Sequence, residues 1–130
     1  MNKSGKQSQH NHHYMLGDRF YQDGKYIVAI QEFEFALQLL PNDTETIWAI
    51  GDCYLEMGQP EMAEEYYKKA LTFCPLNKRD VLIYNLGNSL FDQMKYKEAI
   101  GLYENISKKS SVYKKAKKNI NVAKRKILRY

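Results

Sequence analysis

Apolar positions along this chain fall into stripes of helical period, and the stripes recur. From Glu45 to Met57, the residues Ile47, Ile50, Gly51 and Tyr54 share one helix face at spacings of 3, 4 and 7. Gly58-Gln59 interrupts the pattern, and Pro60 suits the first turn of a following helix. Met62, Ala63, Tyr66, Tyr67, Ala70 and Leu71 form a second stripe, which Pro75 ends. Thr44 is expected to cap the first helix.

This two-helix pattern occurs three times. Leu16-Gly17, Ile50-Gly51 and Leu86-Gly87 stand 34 and 36 residues apart. Ala29, Ala63 and Ala99 each follow their glycine by 12, and Phe33, Tyr67 and Tyr103 come 4 later. Ala36 and Ala70, with Ile106 in the third unit, follow by 3. Pro41 and Pro75 close the first two units, and Ser111 holds that place in the third. Tyr26, Pro60 and Tyr96 stand just before each second helix. The glycines and alanines allow close approach within a helix pair, and the aromatics are expected to fill the gap between pairs. No unit can bury its face alone, so stacked neighbours must make the core.

Tyr113, Ala116, Ile120, Ala123, Ile127 and Tyr130 step by 3 and 4 along a narrow seam. Lysines and arginines fill the other faces of this last predicted helix. The expected organisation is therefore a disordered polar start over 1–9 and three units over 10–110, about 10–43, 44–79 and 80–110. A basic amphipathic helix over 111–130 then caps the third pair.

Charge sharpens that division. The 130 residues carry a net +5, but residues 105–130 hold ten bases and no acid. The preceding 104 residues have ten bases against fifteen acids, a net −5. A nucleic-acid reading belongs to the tail alone, and a cap accounts for the tail more simply. The composition, 44% apolar and 27% charged, is that of a globular chain. No apolar run approaches the length of a membrane span, and the polar start shows no secretory signal. Cys53 and Cys74 do not make a disulfide framework, so a reducing, cytoplasmic setting is expected. Both are read as small buried apolar residues on different helices.

Catalytic chemistry finds no support. His10, His12 and His13 form one N-terminal cluster, read as a solvated tail rather than a metal site. No other histidine serves as a base, no glycine-rich phosphate loop is present, and Glu64-Glu65 falls on a solvated helix face. Neither an enzyme nor a cofactor or metal is expected.

The repeated large residue, Leu-Gly, aromatic, Ala, aromatic, Ala and Pro resemble the tetratricopeptide repeat family, over about residues 11–107. The resemblance implies an all-α, right-handed solenoid of three helix–turn–helix pairs. The third unit departs from the pattern: Met94 stands where the inter-helix glycine belongs, Ile106 replaces Ala, and the closing proline is absent. Two extra residues lie between Pro75 and Asp80. The third pair is expected to sit at a slightly different angle.

In this family the first helix of each pair lines a concave surface. The resemblance then implies a groove with a row of Tyr14, Trp48 and Tyr84, a row of Tyr21, Leu55 and Phe91, and Asp18, Asp52 and Asn88 between them. These residues are read as lying off the packing stripe. The expected function is non-catalytic: the groove binds a protein or peptide with apolar anchors, not a small-molecule substrate. A Lys or Arg of the partner is expected to meet Asp18 or Asp52. The competing reading is that residues 1–13, the tail or self-association cover part of the groove. The family's carboxylate clamp for acidic chaperone tails is not matched, because its positions hold Tyr14, Asp18, Ala49, Val81 and Asn85. Two alternatives remain. One is a protein similar to the type III secretion chaperones of translocators. The other is a nucleic-acid-associated adaptor using the basic tail.

Overall fold

The computed structural model describes residues 3–129, and among them all regular structure is helical. The order is α1 (Lys3–Gln22), α2 (Tyr26–Leu39), α3 (Thr44–Glu56), α4 (Pro60–Phe73), α5 (Leu76–Asp92), α6 (Tyr96–Glu104) and α7 (Tyr113–Leu128). The chain divides into two compact units. Unit 1 ends at Phe73 and holds α1–α4, and unit 2 begins at Cys74 and holds α5–α7.

Within each unit the helices pair as the repeat requires: α1 on α2, α3 on α4 and α5 on α6. The glycines set the approach. A Cβ added at Gly51 would stand 2.7 Å from the Tyr67 ring, and one at Gly87 would stand 2.6 Å from Tyr103. Gly17 meets Phe33 in the same way, at 2.6 Å. The three rings thus lie on the glycine of their own pair, and Phe33 also reaches Ile50 and Cys53 of the next pair, as expected of a ring that fills the gap between pairs. A ring that close leaves no room for a side chain opposite, so a helix position normally costly for glycine becomes the best one. Phe33, Tyr67 and Tyr103 are almost wholly buried, each stabilising by roughly 2–3 kcal/mol.

Each pair turns through a left-handed residue. Gly24 (φ 76°) and Gly58 (φ 73°) do so freely, while Met94 takes φ 64° with a side chain. The backbone bonds match: Lys25 N–H to Phe20, Gln59 N–H to Tyr54 and Lys95 N–H to Leu90, each 2.9 Å. The turn survives the loss of its glycine because these bonds and the ring packing on both sides over-determine it. Tyr26, Pro60 and Tyr96 open α2, α4 and α6 instead of preceding them.

Other expectations require correction. Residues 3–9 are not disordered but belong to α1, and Met1 and Asn2 lie outside the described residues. The start of α3 is capped by Asp43, not Thr44. Asp43 Oδ2 accepts from the Thr46 backbone N–H at 3.1 Å and from the Thr46 hydroxyl at 2.6 Å. A carboxylate also suits the positive end of the helix dipole. Cys53 is buried in α3 as expected, whereas Cys74 is half-buried in the α4–α5 connection. In unit 2, α7 packs against α6 and buries Ala116 and Ala123 of its seam, with Tyr113, Ile120 and Ile127 half-buried. Tyr130 lies outside the described residues.

Candidate functional site: the α1/α3 face

Spacings of 4 and 7 place Tyr14, Asp18 and Tyr21 on one side of α1, and Trp48, Asp52 and Leu55 on one side of α3. Asp18 is exposed, and the other five are half-buried. Tyr14 and Tyr21 are not off the packing stripe as expected. Both rest on the core formed by Ala29, Ile30, Phe33, Ile50 and Cys53. The Tyr14 ring centroid lies 5.5 Å from Phe33, and Tyr21 meets Tyr26 edge-on at 5.5 Å. Each ring anchors the fold by one side and presents the other.

Carboxylates crowd this face. Tyr14 has its phenol pushed up to about 12 by burial first, and then by Glu45, Asp18, Asp43 and Asp52. Tyr21 is pushed up to about 12 by burial, Asp52 and Glu56. Asp52 Oδ1 accepts a 2.6 Å hydrogen bond from the Tyr67 hydroxyl. Burial nevertheless raises the Asp52 carboxyl to about 6, with the Tyr67 bond pulling down and Glu56 adding repulsion. The face therefore combines apolar rings with a negative field in a partly desolvated setting, where such a field acts strongly on a cation.

Unit 2 treats the equivalent positions differently. Tyr84 packs on Tyr103 at 5.9 Å, and Phe91 meets Tyr96 edge-on at 5.2 Å. Asn88 Oδ1 accepts from the Tyr103 hydroxyl at 2.6 Å. Asn119 of α7 then brings its amide to Asn88 at 3.2 Å and to the Tyr84 and Tyr103 hydroxyls at 3.5 Å. The capping helix itself thus engages Tyr84 and Asn88.

The sequence reading missed Asn119, although it is the neutral polar residue beside the seam in a run of lysines. It also misplaced His10, which is 4% exposed and not solvated. His10 Nε2 lies 3.1 Å from the Thr46 hydroxyl and 3.5 Å from Asp43. The signal was its place on the stripe of Tyr14, Gly17 and Tyr21, at spacings of 4, 7 and 11. His13 Nδ1 pairs with Glu32 at 2.7 Å, so the middle of α1 is tied to α2 by His13 and to the start of α3 by His10. Among the described residues, no cluster of three or more His, Cys, Asp or Glu could hold a metal ion. Likewise, no helix there is long and apolar enough to cross a membrane.

Helix pairs closed by an aromatic on glycine, with a left-handed turn between them, define a helical repeat protein. The tetratricopeptide repeat profile matches residues 49–77. The structure is similar to the tetratricopeptide domain of Sgt2 from Aspergillus fumigatus, at 26% identity and a TM-score of 0.75. That match covers 91% of this chain and 78% of that one. It is also similar to the Yersinia enterocolitica type III secretion chaperone SycD in complex with a peptide of the translocator YopD. Here the identity is 22% and the TM-score 0.77, covering 89% and 92% of the two chains. In sequence, intraflagellar transport protein 70A of Xenopus tropicalis is 35% identical over 82 residues, which are 62% of this chain. The chain spans only 12% of that relative's length. The chain carries a tetratricopeptide repeat over residues 49–77, and its fold is the all-α solenoid of such repeats. That fold generally serves as a non-catalytic protein–protein interaction module.

Proposed function

We propose that the α1/α3 face binds a short segment of a partner protein carrying apolar anchors and at least one Lys or Arg. The observation that carries this reading is the pairing of half-exposed Tyr14, Tyr21, Trp48 and Leu55 with Asp18, Glu45, Asp52 and Glu56. Aromatic anchors supply contact area at low entropy cost, and the carboxylates select the sign of the ligand. Within unit 2, the row of Tyr84, Asn88 and Phe91 is less available to a partner, because Asn119 already engages its first two members. A non-catalytic role in a reducing, cytoplasmic setting completes the reading, supported by the two free thiols. The likeness to SycD supports peptide capture by this fold, without making this chain a secretion chaperone.

Fluorescein-labelled peptides with Leu or Phe between basic residues are expected to bind and to change the fluorescence of Trp48, the single tryptophan. Trp48→Ala should weaken binding about thirtyfold or more, the effect of a hot-spot truncation. Its melting should stay close to wild type. Equal binding of acidic and basic peptides, or undiminished binding by Trp48→Ala, would overturn the proposal.

A further inference from the structure

The two units carry opposite charge. Unit 1 has six bases against eleven acids, a net −5, and unit 2 has fourteen bases against four acids, a net +10. Most of the excess lies on α7, whose seam is spent on α6. Lys114, Lys117, Lys118, Lys124 and Arg125 are all exposed, as is Arg129 at its end, and α7 holds no acid. Leu128 stands among them, 85% exposed. Val122, Arg125, Lys126 and Arg129 line a shallow hollow on the same helix. An exposed leucine flanked by bases on a helix is the chemistry that the α1/α3 face is built to select.

We propose that the α1/α3 face of one copy receives the basic face of α7 from a second copy, so that the chain associates head to tail. This rests on the reading of that face given above. Asp18, Glu45 and Glu56 meet the α7 bases, while Trp48 and Leu55 receive Leu128, as an amphipathic helix is received by a groove. The contact is heterologous: each copy supplies one face and one helix, so the products are open chains or rings. A second copy explains the basic face better than a polyanion does. A phosphate backbone has no use for the exposed leucine, and the exposed positions of α7 present no aromatic ring for stacking a base. With Lys115 and the half-buried Lys126 the α7 bases spread over about 200° of the helix circumference, so a flat membrane would reach only part of them.

Sedimentation velocity on the full chain tests this from low micromolar to several hundred micromolar. Wild type should gain mass with concentration and lose at least tenfold in association between low and high salt. Two double variants change exposed residues only: Asp18→Lys with Glu56→Lys, and Arg125→Glu with Arg129→Glu. Each should remain as helical as wild type by circular dichroism and be monomeric alone. Mixed in equal amounts, they should form a one-to-one dimer and nothing larger, because one copy keeps its helix and the other its face. A wild type that is monomeric throughout, variants that associate like wild type, or a mixture that stays monomeric would overturn the proposal. Retention of labelled duplex DNA or phosphatidylserine vesicles by a monomeric wild type, lost in the α7 variant, would make α7 a polyanion surface instead. The labelled basic peptide, run in parallel, separates the two readings. If it binds a monomeric wild type, the face reading stands and head-to-tail docking falls. If it does not bind while the chain still associates, both the face and the proposed contact are overturned.

Discussion

In the α3/α4 pair Tyr67 donates its hydroxyl to Asp52, and in the α5/α6 pair Tyr103 donates to Asn88, each at 2.6 Å. The two rings lie on equivalent glycines and the two acceptors sit at equivalent positions, but only one acceptor is charged. Asn88 is neutral, and Asn119 of the capping helix completes its bonding. Asp52 keeps a carboxylate where burial penalises it and where an amide meets the same geometric need. The fold thus requires an acceptor here but not a charge. In unit 1 the charge belongs to the face proposed to meet a partner, while in unit 2 the neutral amide belongs to the packing of the chain on itself.

The largest expected effect tests what the pairs share. Gly51→Val and Gly87→Val should each destabilise by about 3 kcal/mol or more, since the new side chain must displace a buried ring. Denaturant melting checks this, and a wild-type midpoint for either variant would break the equivalence.

The next effect tests where they differ. Tyr67→Phe leaves Asp52 without its phenol donor and should cost about 2 kcal/mol. Tyr103→Phe should cost about 1 kcal/mol, because the Asn119 amide remains on Asn88. The difference should vanish in an Asn119→Ala background if Asn119 is its cause, which a double-mutant cycle measures.

A further contrast lies in the turns. Met94→Gly should stabilise by about 1 kcal/mol, because Met94 is exposed and left-handed, whereas Gly58→Met should cost a similar amount. Thermal melting of the pair of variants decides it.

The smallest expected effect concerns pH. Folding raises the Asp52 carboxyl from its ordinary 3.8 to about 6, so the folded chain binds its proton more tightly than the unfolded chain. Its contribution therefore makes stability fall as pH rises from about 4 to about 6. Asp52→Asn should remove that component and gain up to about 1 kcal/mol at neutral pH, after allowance for partial exposure. It should gain almost nothing at pH 4. A uniform gain at both pH values would mean that the carboxylate is not desolvated.

The sequence alone carried the repeat. Glycine, alanine and aromatic positions at fixed intervals determined the pairing of helices, because a ring on a glycine is a local demand that three units satisfy alike. The same periodicity placed Tyr14, Asp18 and Tyr21 on one side of α1, and Trp48, Asp52 and Leu55 on one side of α3. Tertiary structure decided what those side chains were for. His10 looked like part of a polar tail until Thr46 and Asp43, more than thirty residues away, gave it partners. Asn119 looked like a gap in a lysine run until α7 brought it to Asn88. Tyr14 and Tyr21 looked free until the core beneath them showed that each is half committed to packing. Periodicity reports which residues share a face. Burial, hydrogen bonding and the field at a carboxylate depend on what lies opposite that face, and only the folded chain brings those groups together.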